Sequence, residues 1–333
     1  MRNLLQNCIL VLFSTVVLAG CATKINASKI IPAGATEVTR YKTVAFLDFS
    51  GNKGRDISSR LETIVIKAEV NNKKQYSVVD RANIDKIIKE QQFQMTMANP
   101  DTIVDFGQLV GAEAVWAGYA QSTYNVTRSY ETRSKCMNYV DGKCQYYREY
   151  TVPCESKDML INVTPKLTSI STGQVVYAKE FKGKDSSYGC SDSIFTPQSE
   201  GELYERALRN ILYSFRLDIA PYVKTIQIEL MSNTDGTNDT SKLLLKNGIS
   251  FAKNDRIEKA CELWQNGLKE TPYSISLNYN VGVCKELSGK FNDALSYFSK
   301  AEDYAGKPVR VISDAINRAK ESIENQKTLK QQM

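Results

Sequence analysis

Short apolar runs alternate with helical stripes along the first two thirds of the chain. Thr43-Val44-Ala45-Phe46-Leu47 reads as a strand. Ile57, Leu61, Ile64, Val65 and Ala68 then recur at helical spacing and predict one buried helix face. Tyr76–Asp80 predicts a second strand, and Ile84, Ile87 and Ile88 line a second helix. Asn99-Pro100 supplies a cap and a proline at the first helical position of a helix that turns Ile103, Phe106 and Leu109 inward. "AEAVWAGYA" is a third strand, and residues 158–183 predict a hairpin turning at Ser171-Thr172-Gly173. Residues 199–219 form a last helix with Leu203, Ala207, Ile211 and Phe215 on one side. Strands alternating with helices and closing in a hairpin predict an α/β fold with a mixed sheet over residues 41–225.

A polar stretch at 226–240, richest in Asn, Asp and Thr from residue 230 on, reads as a linker. Beyond it the chain repeats itself every 34 residues, the tetratricopeptide period: Gly248 recurs as Gly282, Ala260 as Ala294, Trp264 as Phe298 and Gly267 as Ala301. Small residues at these places let paired helices approach while the aromatics fill the space between them. Two repeats are predicted over 241–308, with 309–333 as a capping helix and tail. On the first helix of each repeat, Asn247, Phe251, Asn278 and Lys285 are the expected contacts for a short peptide or protein partner.

The N-terminus changes the picture. Arg2 precedes a mostly apolar stretch, Leu4 to Val17, too short to span a bilayer, and Leu18-Ala19-Gly20-Cys21 closes it with small residues and a cysteine. Residues 1–20 read as a secretory signal that ends like a bacterial lipobox, with Cys21 the acylated first residue of the mature chain. Acyl chains on Cys21 would anchor the protein firmly. Ala22 after the cysteine resembles sorting to the outer membrane, and residues 21–40, small and polar, read as a tether. The net charge of +6 is too mild to point to nucleic acid.

The chain has no histidine. That excludes Ser-His-Asp and Cys-His catalysis and histidine-containing zinc sites, and no other motif points to an enzyme or a cofactor. Besides Cys8 and Cys21, six cysteines remain: Cys136, Cys144, Cys154, Cys190, Cys261 and Cys284. An even number without any CxxC reads as disulfides rather than a metal site. Chain proximity pairs Cys136 with Cys144, Cys154 with Cys190 and Cys261 with Cys284. Asp80-Arg81 reads as a structural ion pair or cap. The glycine turn Gly51-Asn52-Lys53-Gly54 after the first strand matches neither GxxxxGK[ST] nor GxGxxG, so it reads as a turn and not as a phosphate cradle.

The strand-loop-helix at 44–66, "YSVVDRANIDKIIKEQQFQ" at 76–94, "VGAEAVWAGYA" at 110–120 and "STGQVVYAKEF" at 171–181 resemble the CsgG-like curli secretion lipoprotein family in order and spacing. The resemblance spans roughly residues 40–225 and implies a mixed sheet with flanking helices, here followed by an all-α tetratricopeptide module. In that family, secretion channels are rings in which each subunit gives two amphipathic hairpins to a transmembrane barrel. An insertion at 124–154 stands where the first hairpin belongs. If Cys136 faces Cys144 directly, one side of it carries Val126, Arg128, Tyr130, Tyr146, Arg148, Tyr150 and Val152, whereas a tight turn at Asp141-Gly142 would shift that pairing. Residues 182–198, where the second hairpin belongs, are polar, without alternation and too few. The expectation is therefore a lipid-anchored scaffold on the periplasmic face of the outer membrane, serving assembly or export of a surface structure. Tyr130, Tyr146 and Tyr150 join the partner contacts, and a homo-oligomeric secretion channel is the alternative.

Overall fold

The computed structural model describes residues 23–80, 100–194 and 196–333. The signal, Cys21, Arg81 and the second helix with Ile84, Ile87 and Ile88 lie outside the described residues. Two compact units are drawn from the chain, one from residues 29–224 and 324–333, the other from 225–323 and the segment up to residue 28.

The first unit is built on a mixed sheet. Strand β1 spans Lys24–Ile31, β2 Thr43–Phe46, β3 Glu69–Val70, β4 Lys73–Lys74 and β5 Ser77–Val78. Then come the long β6, Ala114–Val140, and β7, Lys143–Ser169, followed by β8, Val175–Ala178, β9, Phe181–Cys190, and β10, Tyr222–Glu229. The order β5-β2-β6-β7-β8 is parallel on the β2 side and antiparallel from β6 onward, with β9 continuing along β7 above β8. Helix α1, Gly54–Ile66, buries Ile57, Leu61 and Val65, the stripe its spacing predicts. Helix α2, Pro100–Val110, covers the other sheet face through Phe106, whereas Leu109, expected inward, is 51% exposed. Helix α3, Glu200–Ile219, starts in a capping box between Ser199 and Glu202 and buries Leu203, Ala207, Ile211 and Phe215. Trp116 lies at the centre, stacked on Phe46 and met edge-on by Tyr177 and Phe215.

Three segments differ from the sequence reading, the first being residues 226–229, read as the start of a linker, which end strand β10. Residues 24–31, read as part of a tether, form β1, which pairs with β10. Nothing local marks this strand, because its partner lies almost two hundred residues away. The polar segment after Phe181 is strand β9, and its inward positions are small rather than apolar. A Cβ on Gly183 would come within 2.3 Å of the Ala207 carbonyl oxygen of α3, so glycine here lets helix and strand approach.

The second unit is a run of helices: α4, Asp239–Lys253; α5, Ile257–Glu270; α6, Ile275–Leu287; α7, Phe291–Ala305; and α8, Arg310–Gln332, whose last turns belong to the first unit. The repeated residues occupy equivalent places in the helix pairs. Gly248 of α4 meets the Trp264 ring of α5, as Gly282 of α6 meets the Phe298 ring of α7, each closer than any Cβ would allow. The Arg318 guanidinium forks onto the buried Glu286 carboxylate at 2.7 and 2.8 Å and ties α8 to α6.

Candidate interaction surfaces

The glycine turn is spent on the sheet. The Ser50 N–H donates to the Gly118 carbonyl, the Lys53 N–H to Ala120 and the Gly54 N–H to Gly51. The Asn52 side-chain amide pairs with both backbone groups of Ser122, continuing the ladder one step up β6. Gly51 has φ +96°, and a Cβ there would meet the Ala120 carbonyl oxygen at 2.1 Å. With the Ser50 and Lys53 N–H groups engaged by β6 and that of Gly54 by Gly51, the turn is tied to the sheet rather than shaped around a phosphate.

Above this point β6 and β7 leave the core as a two-stranded ribbon. An Asp141-Gly142 turn closes it, both residues at positive φ, as a two-residue hairpin loop requires. That turn sets Val140 opposite Lys143, Arg133 opposite Tyr150 and Tyr130 opposite Pro153. The register expected from a direct Cys136–Cys144 opposition is therefore wrong by three residues. Irregularities around Cys136, Asn138 and Tyr139 let the disulfide form although each cysteine faces a different residue. The correction re-sorts the faces. Val126, Arg128 and Tyr130 share a face with Glu149 and Glu155. Tyr146, Arg148, Tyr150 and Val152 lie on the other with Glu131, Arg133 and Lys135. Tyr130, Tyr146 and Tyr150 are all exposed, but Tyr130 stands on the side opposite the other two.

At the root of the ribbon a second disulfide joins Cys154 of β7 to Cys190, directly opposite on β9, with Cα atoms 3.9 Å apart. A polar cluster covers it. Arg133 binds Glu131 at 2.6 Å and Asp192 at 3.4 Å, and Tyr188 donates to Glu131. The Glu131 carboxylate holds the Arg133 guanidinium above its ordinary pKa and, through that hydrogen bond, pushes the Tyr188 phenol up. Glu131 and the two sulfurs lie close enough to suggest three metal donors, but the sulfurs are spent in the disulfide. Beside it, Arg128, Tyr130, Pro153, Cys190 and Pro197 line a cavity of about 380 Å³.

A profile of the family described as "Curli production assembly/transport component CsgG" matches residues 33–203, just over half of the chain. The chain belongs to the CsgG family. The matched CsgG segment contains β2 to β9, and hence the whole ribbon. None of the curated proteins matches. Among solved structures, the LpoB C-terminal domain from Salmonella enterica is similar at 10% identity and a TM-score of 0.25, over 45% of this chain and 94% of that one. Lipoprotein GNA1162 from Neisseria meningitidis is similar at 11% identity and a TM-score of 0.23, over 51% and 95%. The hypothetical protein CT253 from Chlamydia trachomatis is similar at 13% and 0.24, over 54% and 98%. Among the described residues the matched segment has one long hairpin, and the stretch after Phe181, where the resemblance places a second, forms the single strand β9.

In the helical unit the expected partner contacts separate. Asn247 is exposed and Phe251 half-buried, and with Ser250, Asn254 and Arg256 they line a cavity of about 220 Å³. The Arg256 guanidinium lies 4.7 Å over the Phe251 ring. Asn278 is buried, and its amide donates to the carbonyls of Pro272 and Ser274, so it braces the helix start and offers a partner nothing. Lys285 is half-buried near the other end of α6. The face of α6 is filled by the chain itself. Tyr279 donates to the Glu229 carbonyl, the Asn280 amide bonds both the N–H and the C=O of Met231, and Ser276 donates to the Asn233 carbonyl. Sequence reasoning missed this grip. Its signal was a set of polar side chains, Ser276, Asn278 and Asn280, inside a helix apolar on every side. The third disulfide, Cys261–Cys284, ties α5 to α6.

Proposed function

We propose that this CsgG-family protein is a lipid-anchored scaffold of the cell envelope, held in the outer membrane through acylated Cys21. It takes part in assembling or exporting a surface structure and works by protein contact rather than catalysis. The ribbon presents Tyr130 on one face and Tyr146 and Tyr150 on the other. The helical unit, read as a tetratricopeptide module, presents Asn247 and Phe251 to a short partner segment. The absence of histidine from the chain supports a non-enzymatic role.

One observation carries the choice of scaffold over channel: neither face of the ribbon is apolar. Arg128, Glu149 and Glu155 stand on one, and Glu131, Arg133, Lys135 and Arg148 on the other. In a barrel wall one face must meet lipid, and each Arg or Lys near the bilayer midplane costs about 2–4 kcal/mol. The family's description as an assembly and transport component favours the second reading, an oligomeric secretion channel. The acylated protein, extracted in mild detergent with its disulfides intact, is expected to run as a monomer or small oligomer and to leave planar bilayers non-conducting. A large ring with ion conductance would establish the channel instead.

A further inference from the structure

The short distance between the lipid anchor and the helical unit has a consequence for the membrane face. Just beyond the paired ends of β1 and β10, the Leu230 N–H donates to the Thr23 carbonyl at 2.7 Å. Thr23 stands two residues after Cys21, and two peptide steps reach roughly 7 Å. The segment that follows Leu230 is gripped by α6: Asn280 holds Met231 and Ser276 holds Asn233. One helical turn before Ser276, at the same end of α6, Tyr273 is 73% exposed. Its ring meets that of Tyr304, 41% exposed, edge-on with centroids 5.4 Å apart. Exposed tyrosines, apolar in body and polar at the tip, suit the headgroup layer of a bilayer.

We propose that the end of the helical unit bearing Tyr273 and Tyr304 rests on the phospholipid leaflet that holds the acyl chains, with the two phenols at its interface. The inference rests on the lipidation of Cys21 proposed above. The occupant is a membrane and not a protein because Thr23, held at Leu230 beside the middle of α6, has only two residues of slack before the lipid.

The test uses the full acylated chain in vesicles of phosphatidylethanolamine and phosphatidylglycerol, part of it brominated high on the acyl chains. Tyr273→Trp and Leu287→Trp place an extra indole at opposite ends of the 13-residue α6, roughly 18 Å apart. Leu287 is exposed, and the native Trp116 and Trp264 are fully buried and supply a constant background. The added emission at 273 is expected to be largely lost in brominated vesicles and that at 287 retained. Equal quenching at both, or none at either, in protein that floats with the vesicles would overturn this orientation and leave the anchor standing. An N-terminal peptide without acyl mass, in protein that does not float, would overturn the anchor reading and this one with it.

Discussion

The lower and upper halves of the β6–β7 ladder share two strands and one hydrogen-bonding pattern, yet different forces hold them. At the root, Trp116, Ile161, Val163 and Leu167 are fully buried under α1 and α3, and the strands persist because their side chains leave water. Beyond Val126 most side chains on both faces stay exposed. An isolated two-stranded ribbon is marginal in water. Here covalent and turn chemistry replaces the core: Cys136–Cys144 near the tip, Cys154–Cys190 where β9 ends, and Asp141-Gly142 at the turn. A β-hairpin can therefore be long without a hydrophobic face, provided it is stapled.

Burial and stapling make different predictions. The largest effect is expected at the root: Trp116→Ala should cost about 3–5 kcal/mol in urea unfolding, whereas Tyr130→Ala on the ribbon should stay within roughly 0.5 kcal/mol. Comparable losses would break the distinction. The helical unit extends the burial rule to a charge. Arg318→Ala leaves Glu286 buried and unpaired and should cost on the order of 3 kcal/mol in the same measurement. Replacing Cys136 and Cys144 together by serine should cost about 2 kcal/mol locally. Amide exchange would then speed up in the ribbon while the main unfolding midpoint holds, and a midpoint shift would mean that the tip supports the core. Gly142→Ala, at φ +74°, should act on the same amides by about 1 kcal/mol. The smallest effect is one of pH. Burial pushes the Tyr279 phenol from 10 up to about 12, so its contribution is complete below pH 10 and falls away as pH rises toward 12. Unfolding followed across that window should show the decline in the parent and a flatter profile in Tyr279→Phe.

The legible parts of the fold were those whose signal is local. The helix stripes of α1 and α3 repeat within a few turns of chain, and the Gly248–Trp264 and Gly282–Phe298 correspondence shows as a fixed 34-residue period. Strand β9 was illegible because its inward positions after Phe181 include Gly183, which lets α3 approach, and Ser187, which accepts from the Gln198 N–H, and neither is apolar. Strand β1 was illegible because its partner is β10. The ribbon's place and length could be read, but its register stood between two signals: the cysteines suggested one pairing and the Asp141-Gly142 turn another, and the turn prevailed. That three-residue difference redistributes the tyrosines and charges, and so decides which surfaces exist. The occupied face of α6 depended on a segment some fifty residues upstream, beyond any periodicity.

Gln332 is buried, and its side-chain amide accepts from the Ala33 N–H at 2.8 Å and donates to the Ala33 carbonyl at 3.1 Å. The first compact unit thus closes with residues that follow the helical unit in the chain, although nearly all of its sheet is made long before. Its N-terminal edge must wait through the synthesis of the entire helical unit. A chain interrupted before residue 332 would hold every strand and both disulfides of the ribbon, and still leave Ala33 without its partner.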